Sequence, residues 1–311
     1  MTAGVVDEIQ LDGCVVHLRR WEPAGPAVDP TTDAAEVPPM LLVHGLGANT
    51  ISWLTVGQAL ADRRGTSVVA LDLVGFGYTR AVDTPATLNR NADLVIAALE
   101  EFGPSVVAGN SMGGAITVKV AARRPDLVEA MVLVNPAVRA AGLRSPQMRT
   151  GAVMAPMLFP TLGARLITAR ANKFGPEGLV DGTLQVVLEQ YEDLDPALRA
   201  DFIAIARDRM EFPEAARAYV DAASSLFWYM TRNLDRDLAV ALQSRPGLLV
   251  FGDRDRLIHV SSAHALAQRH PTLAVEMLEG IGHAPQLDAP AVFVDTVATW
   301  LDPLFGRSAA P

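Results

Sequence analysis

Short apolar, β-branched runs recur along this chain at 14–18, 40–43, 67–71, 105–108, 130–134, 247–251 and 274–278, each bounded by turn residues. Runs this short and this continuously apolar suit strands buried on both faces, since half-exposed strands alternate apolar with polar. Helical patterns lie between most of them, for example at 88–102 and 114–123, the second stopped by Pro125. Parallel strands can be joined only through a crossover, so strand and helix in alternation imply a parallel sheet with helices on its faces. The run at 14–18 reads as part of an N-terminal hairpin. The expected fold is therefore α/β, with about eight strands, mostly parallel, flanked by helices.

The alternation breaks once. Between Asn135 and Gly247 lie 111 residues of mostly helical periodicity, an insertion late in the chain. We expect residues 1–136 and 241–311 to form one core domain and residues 137–240 a helical cap, or lid, over the C-terminal ends of the strands. The insertion holds half of the chain's 10 methionines and half of its aromatic residues, including the run Phe227-Trp228-Tyr229-Met230. It also contains Met154-Ala155-Pro156-Met157-Leu158-Phe159-Pro160, with few charges nearby. Two readings fit: a small helical core of its own, or a lid whose inner face lines an apolar pocket. Residues 22–39 carry five prolines and no apolar pattern, and read as an exposed loop.

Charge and composition narrow the classes of function. A net charge of −9 leaves no basic stripe with which to release phosphate counterions, which argues against a nucleic-acid partner. The lone cysteine, Cys14, can form no intramolecular disulfide and has no second thiol for a metal site, so a reducing, cytoplasmic setting is expected. The opening MTAGVVDEIQLDG lacks the basic segment and apolar run of a signal peptide. No later window reaches the roughly 18 apolar residues of a membrane span, so a soluble protein without one is expected.

One motif carries chemistry. The run 105–108 leads into Gly109-Asn110-Ser111-Met112-Gly113-Gly114, which opens a helix, so G-x-S-x-G stands between a strand and a helix. A serine hydroxyl is a weak nucleophile; a sharp strand-to-helix turn exposes its oxygen at the sheet edge beside a helix N-terminus. Glycines two before and two after Ser111 allow close backbone approach. The plainer reading is a glycine-rich turn needed only for packing.

With these residues in place, the chain resembles the α/β-hydrolase family, from about Val5 to Phe305, in its serine-nucleophile branch. Leu41-Leu42-Val43-His44-Gly45-Leu46-Gly47 is similar to the family's oxyanion strand and loop, and Asp72-Leu73-Val74-Gly75-Phe76-Gly77 to its next strand end. Gly252-Asp253-Arg254-Asp255 and Gly282-His283-Ala284-Pro285 resemble its acid and histidine loops, in the family's order Ser, Asp, His. The resemblance implies Ser111 as nucleophile, His283 as base and Asp255 as the carboxylate that orients it, with Asp253 as the fallback acid. Some members place the acid after the preceding strand, where this chain reads Asn135-Pro136. The implied oxyanion donors are the backbone N–H groups of Leu46 and Met112, with Gly45, Gly47, Gly109 and Gly113 shaping the two loops. A histidine at the position of His44 usually supports that loop, and His17, His259, His264 and His270 have no partnering pattern and read as surface or packing residues.

The activity the resemblance implies is cleavage of an ester or lactone of a small, apolar acyl or aryl substrate. Members that open epoxides or displace halide carry aspartate at the elbow, where this chain has Ser111. The elbow is similar to that of meta-cleavage hydrolases, which break carbon–carbon bonds in vinylogous diketones, but those enzymes follow the histidine with a tryptophan-containing stretch, and here it reads Ala284-Pro285-Gln286-Leu287. Perhydrolase or haloperoxidase-like activity uses the same triad. A receptor that keeps the fold and only binds its ligand is a further alternative, which turnover of an activated ester would separate. No cofactor is expected: Gly45-Leu46-Gly47 has the outline of a dinucleotide fingerprint, but Thr50 stands where its third small residue belongs. No His-x-x-x-His pair beside an acid and no aspartate-rich loop predicts a metal.

Overall fold

A computed structural model describes residues 3–25, 37–141 and 155–305. Met154 and positions 26–36 of the proline-rich loop lie outside the described residues. Asp12 and Gly13 hold positive φ, 46° and 75°, and fold β1 (Val5–Leu11) and β2 (Cys14–Trp21) into an antiparallel hairpin. Two left-handed residues in succession give the turn whose twist matches that of the strands. Each remaining apolar run becomes a strand: β3 (Met40–Val43), β4 (Val68–Leu71), β5 (Ser105–Asn110), β6 (Val128–Val134), β7 (Gly247–Gly252) and β8 (Ala274–Leu278).

The eight strands form one sheet in the order β1-β2-β4-β3-β5-β6-β7-β8. β2 meets β4 antiparallel and every pair from β4 to β8 is parallel. Because β3 connects outward to β4 while the chain then returns past it to β5, the direction of winding reverses between β3 and β5. Open α/β sheets bind ligands at the carboxyl ends of the strands beside such a reversal.

Besides one short turn of helix at Pro285–Asp288, nine α-helices surround the sheet among the described residues: α1 (Gly57–Arg64), α2 (Leu88–Phe102), α3 (Met112–Arg123), α4 (Pro160–Val187), α5 (Pro196–Met210), α6 (Ala215–Arg232), α7 (Leu234–Ala241), α8 (Val260–Arg269) and α9 (Pro290–Leu301). The period of two along the strands splits the core. Met40 and Leu42 face one side with Leu60 of α1 and Phe293 and Val297 of α9, while Leu41 and Val43 face the other with residues of α2, α3, α7 and α8.

The insertion is mostly helical from residue 155 to 241, as its periodicity predicts, but its members differ. α4 packs against both α5 and α6, whereas α7 lies on α3 and buries Leu234, Leu238 and Ala241 in the core beneath the sheet. α4 is broken at Gly175, whose φ of 64° and ψ of 179° no helix contains, and Pro176 starts its second half. The run Phe227-Trp228-Tyr229-Met230 divides by helical period: Tyr229 is buried, while Phe227 and Trp228 face outward, edge to face at 5.2 Å.

Candidate active site

Ser111 alone turns the chain from β5 into α3, at φ 55° and ψ −113°. A residue with a Cβ held there stores on the order of 1–3 kcal/mol of strain, which the surroundings must hold. The Ser111 N–H donates to the Val134 carbonyl at 2.9 Å, and its own carbonyl accepts from Ala137 N at 2.9 Å and Ala115 N at 3.3 Å. The glycines make room. A Cβ at Gly113 would lie 2.1 Å from the Val43 carbonyl oxygen, and one at Gly109 would lie 2.2 Å from that of Gly113. A Cβ on Gly45 would come within 3.2 Å of that of Ser111, which brings the end of β3 against the elbow at the winding reversal. Within this buried shell Ser111 itself stays partly exposed.

The acid and histidine loops meet beside it. His283 Nδ1 lies 2.6 Å from Asp255 Oδ2, and both side chains are buried. Asp255 Oδ1 accepts from the N–H groups of Leu257 at 2.7 Å and Ile258 at 2.9 Å, and Oδ2 also accepts from Asn135 Nδ2 at 2.7 Å. Burial alone would raise the Asp255 pKa. The neighbouring His283 imidazole and the hydrogen bonds from His283, Ile258 and Asn135 outweigh it and hold the carboxyl below its ordinary value. An ionised carboxylate only accepts, so the proton of a neutral His283 sits on Nδ1 and leaves the Nε2 lone pair free. The histidine loop is tied to the elbow through Asn110, whose side-chain amide donates to the carbonyls of His283 at 3.0 Å and Val134 at 3.1 Å.

Met112 is the first residue of α3, so its N–H has no helical carbonyl to meet and carries the positive end of the helix dipole. Leu46 follows Gly45 at the end of β3. Its side chain packs with Met157, Tyr219 and Val220 of the insertion, and Gly47, at φ 77°, leaves 3.1 Å between a would-be Cβ and the Tyr219 ring. The insertion thus covers the first loop with apolar surface. Met157, from the methionine-rich segment, belongs to this cover, while Phe159 points to solvent, 65% exposed.

The other polar residues singled out in the sequence lie elsewhere. Asp253 accepts from Gly280 N at 2.7 Å, closing the turn after β8, and is not the His283 partner. His44 is fully buried; its Nε2 accepts from Leu73 N at 3.0 Å and its Nδ1 faces the Gly45 carbonyl at 2.7 Å, pinning β3 to the loop after β4. Burial lowers its pKa despite the attraction of Asp72 and the hydrogen bond to Gly45, so it is held neutral. The remaining histidines, expected as surface or packing residues, have local surroundings of their own at three positions. His17 is buried with Nδ1 2.9 Å from Asp72 Oδ2, too poorly aligned for a hydrogen bond, His259 caps α8 by accepting from Ser261 N at 3.2 Å, and His270 is buried beside Asp235. Asp72 also accepts from Thr50 N and Tyr78 N, and no side chain larger than glycine fits at Gly77, where a Cβ would lie 1.9 Å from Asp72 Oδ2.

Sequence reasoning missed Asn110 and Asn135. The second was noted only for lacking a carboxylate, yet its amide bridges the acid, donating to Asp255 and accepting from Gly252 N at 3.2 Å. A cavity of about 320 Å³ opens behind the histidine loop on Leu188, Gln190, Leu194, Leu198 and Leu287, but Ser111, Asp255 and His283 do not line it. The hydrogen-bond geometry, not this cavity, marks the candidate reaction centre. Among the described residues no three His, Cys, Asp or Glu side chains are grouped to hold a metal ion, and no helix is long and apolar enough to cross a membrane.

Comparisons with known proteins agree with this architecture. The model of the alpha/beta hydrolase family matches residues 40–296. The chain is 28% identical over 285 residues to an uncharacterised protein of Mycobacterium tuberculosis, covering 86% of this chain and 76% of that one. It is 26% identical over 257 residues to Lipase 1 of Psychrobacter immobilis, covering 81% and 73%. The crystal structure of a bacterial membrane phospholipase A superposes with a TM-score of 0.73 at 24% identity, covering 98% of this chain and 88% of that one, a likeness of fold.

Proposed function

The chain belongs to the alpha/beta hydrolase family, and from that premise we propose that it is a serine hydrolase cleaving an ester or lactone of an apolar small molecule through an acyl-enzyme. The observation that carries this reading is the buried 2.6 Å contact of His283 Nδ1 with Asp255 Oδ2, tied through Asn110 to the strained turn at Ser111. In the proposed reaction His283 Nε2 takes the Ser111 proton as Oγ attacks the substrate carbonyl. The oxyanion that forms meets the N–H groups of Leu46 and Met112, each worth about 3 kcal/mol in comparable sites. Collapse breaks the carbon–oxygen bond, and the departing alkoxide leaves with the proton from His283. Water, deprotonated by the same nitrogen, then attacks the acyl group, releases the acid and restores Ser111. Within the expected cap, residues 137–240, it is α4, α5 and α6 that serve as the cover, whose apolar cluster at Leu46 favours apolar acyl groups. The lipase among its relatives supports ester chemistry.

The test is a panel of p-nitrophenyl esters of increasing acyl length, an aromatic lactone and a vinylogous diketone, with Ser111→Ala as the control. Turnover should rise from acetyl towards medium chains, since each buried methylene adds about 0.8 kcal/mol, and should be lost in Ser111→Ala. Selective cleavage of the diketone with negligible ester hydrolysis would install the carbon–carbon reading in its place. Full esterase activity in Ser111→Ala would refute the nucleophile.

A further inference from the structure

A segment of the helical insertion holds the loop that carries His283, through residues the proposed reaction does not otherwise use. Residues 185–190, where α4 ends, touch both loops of the acid–base pair. On the acid side Arg256, next to Asp255, donates to the Gln185 carbonyl and to the Glu189 carboxylate, each at 2.6 Å. On the histidine side the backbone N–H of His283 donates to the Val187 carbonyl at 2.8 Å. Asp288 fastens the seam: Oδ2 accepts from Gly282 N at 2.6 Å and Glu189 N at 3.0 Å, and Oδ1 accepts from Gln190 N at 3.1 Å.

One carboxylate thus gathers three backbone donors from two separate stretches of chain, a task suited to a group with several acceptor sites and no proton to place. Packing follows the same line. Ala284 shares an apolar cluster with Leu184 and Leu188, and a Cβ at Gly282 would fall 2.7 Å from the Val187 carbonyl oxygen and 2.9 Å from Glu189 N. The residue before His283 therefore has no room to shift unless the segment moves with it.

We propose that Asp288 is a positioning residue for the hydrolysis: by fastening residues 187–190 to the histidine loop it sets the imidazole over Ser111, so that the placement of the insertion and the competence of the base change together. The inference rests on the reading of His283 as the base. Without Asp288 the three N–H groups find acceptors only when the loop opens to water. A misplacement of about 1 Å costs a reacting group on the order of 100-fold in rate.

The test compares Asp288→Ala and Asp288→Asn in the full chain by kcat and KM on p-nitrophenyl butyrate and by amide hydrogen exchange. Asparagine can keep its oxygen towards Gly282 and Glu189 but turns an NH₂ towards the Gln190 N–H, so it should retain part of the function. Asp288→Ala should lower kcat at least about tenfold with KM changed much less. Exchange at 187–190 and 280–284 should rise together, β5 and β7 should stay protected, and Asp288→Asn should recover part of both effects. Arg199→Ala, which breaks the 2.7 Å pair with Asp181 inside the insertion, should change neither kcat nor exchange at 280–284. The proposal is overturned by an Asp288→Ala enzyme within about twofold of the parent in kcat, or by exchange that rises at 280–284 while 187–190 stays protected. Ester turnover that survives Ser111→Ala, with the two segments still opening together, would instead overturn the serine mechanism and the catalytic part of this role, leaving the mechanical coupling.

Discussion

At Ser111 the backbone stands at φ 55°, where a Cβ is strained and glycine is not. Ser111→Ala and Ser111→Gly both remove the hydroxyl, so under the proposed mechanism both lose about 10³-fold or more in kcat. Only the glycine variant relaxes the turn. In urea it should unfold later than the alanine variant by the equivalent of about 1 kcal/mol; coincident midpoints would show that the elbow stores no strain. Asp255 offers a pH test on the same scale. Its folded pKa lies below the ordinary value, so its ionised form adds stability above the unfolded value of about 3.9, and that stability is lost as pH falls through the folded value. Denaturant titrations from about pH 5 to 2 should therefore show a steeper acid limb in the parent than in Asp255→Asn.

The β5–turn–α3 unit is pressed against the end of β3. Gly113 lies so close to the Val43 carbonyl that a Cβ would stand 2.1 Å from its oxygen, and under the proposed mechanism this approach holds the Met112 N–H in place as a donor. Gly113→Ala should cost about 1–3 kcal/mol, as overpacked sites do, and lower kcat by moving the donor. Gly103 is the control. It ends α2 at φ 86° and ψ 170° with nothing within 4 Å of a would-be Cβ, so Gly103→Ala should cost only its local backbone strain, about 1–3 kcal/mol, and leave kcat alone. Equal losses of activity in the two variants would show that the contact with β3 does not place the donor.

Across the whole molecule the insertion is joined to the core at several places, among them the histidine loop and the loop after β4. At the second, Arg209 of α5 donates to the carbonyls of Gly75 at 2.6 Å and Gly77 at 2.9 Å, Tyr78 donates to Asp208 at 2.8 Å, and Arg80 pairs with Glu214. Burial lowers the Arg209 pKa against the attraction of Asp72 and Glu214. Arg209→Ala leaves both carbonyls without these donors and should cost about 1–3 kcal/mol, with Arg209→Lys intermediate because one ammonium cannot reproduce the fork. Chemical denaturation reads both, and an unchanged midpoint in Arg209→Ala would mean that solvent replaces the guanidinium without loss.

The sheet was legible in the chain because strands buried on both faces must be apolar without interruption and helices between them must carry their own period; β8, read the same way, instead lies at the edge with Val275, Glu276 and Met277 exposed. The sequence also marked Ser111, His283 and Asp255, since a strand-turn-helix glycine motif and the loops after the late strands are local patterns. What surrounds them rests on contacts between distant parts of the chain. Asn135, Asn110 and Asp288 act on partners far away in the chain, and a side-chain amide or carboxylate carries no local sign of which distant N–H or carbonyl it will meet. The same holds for the run at Phe227: its composition fitted a helical core or a pocket lining, but helical rotation sends Tyr229 into the core and leaves Phe227 and Trp228 exposed. Composition fixes how much apolar surface must be hidden, and packing fixes which face hides it.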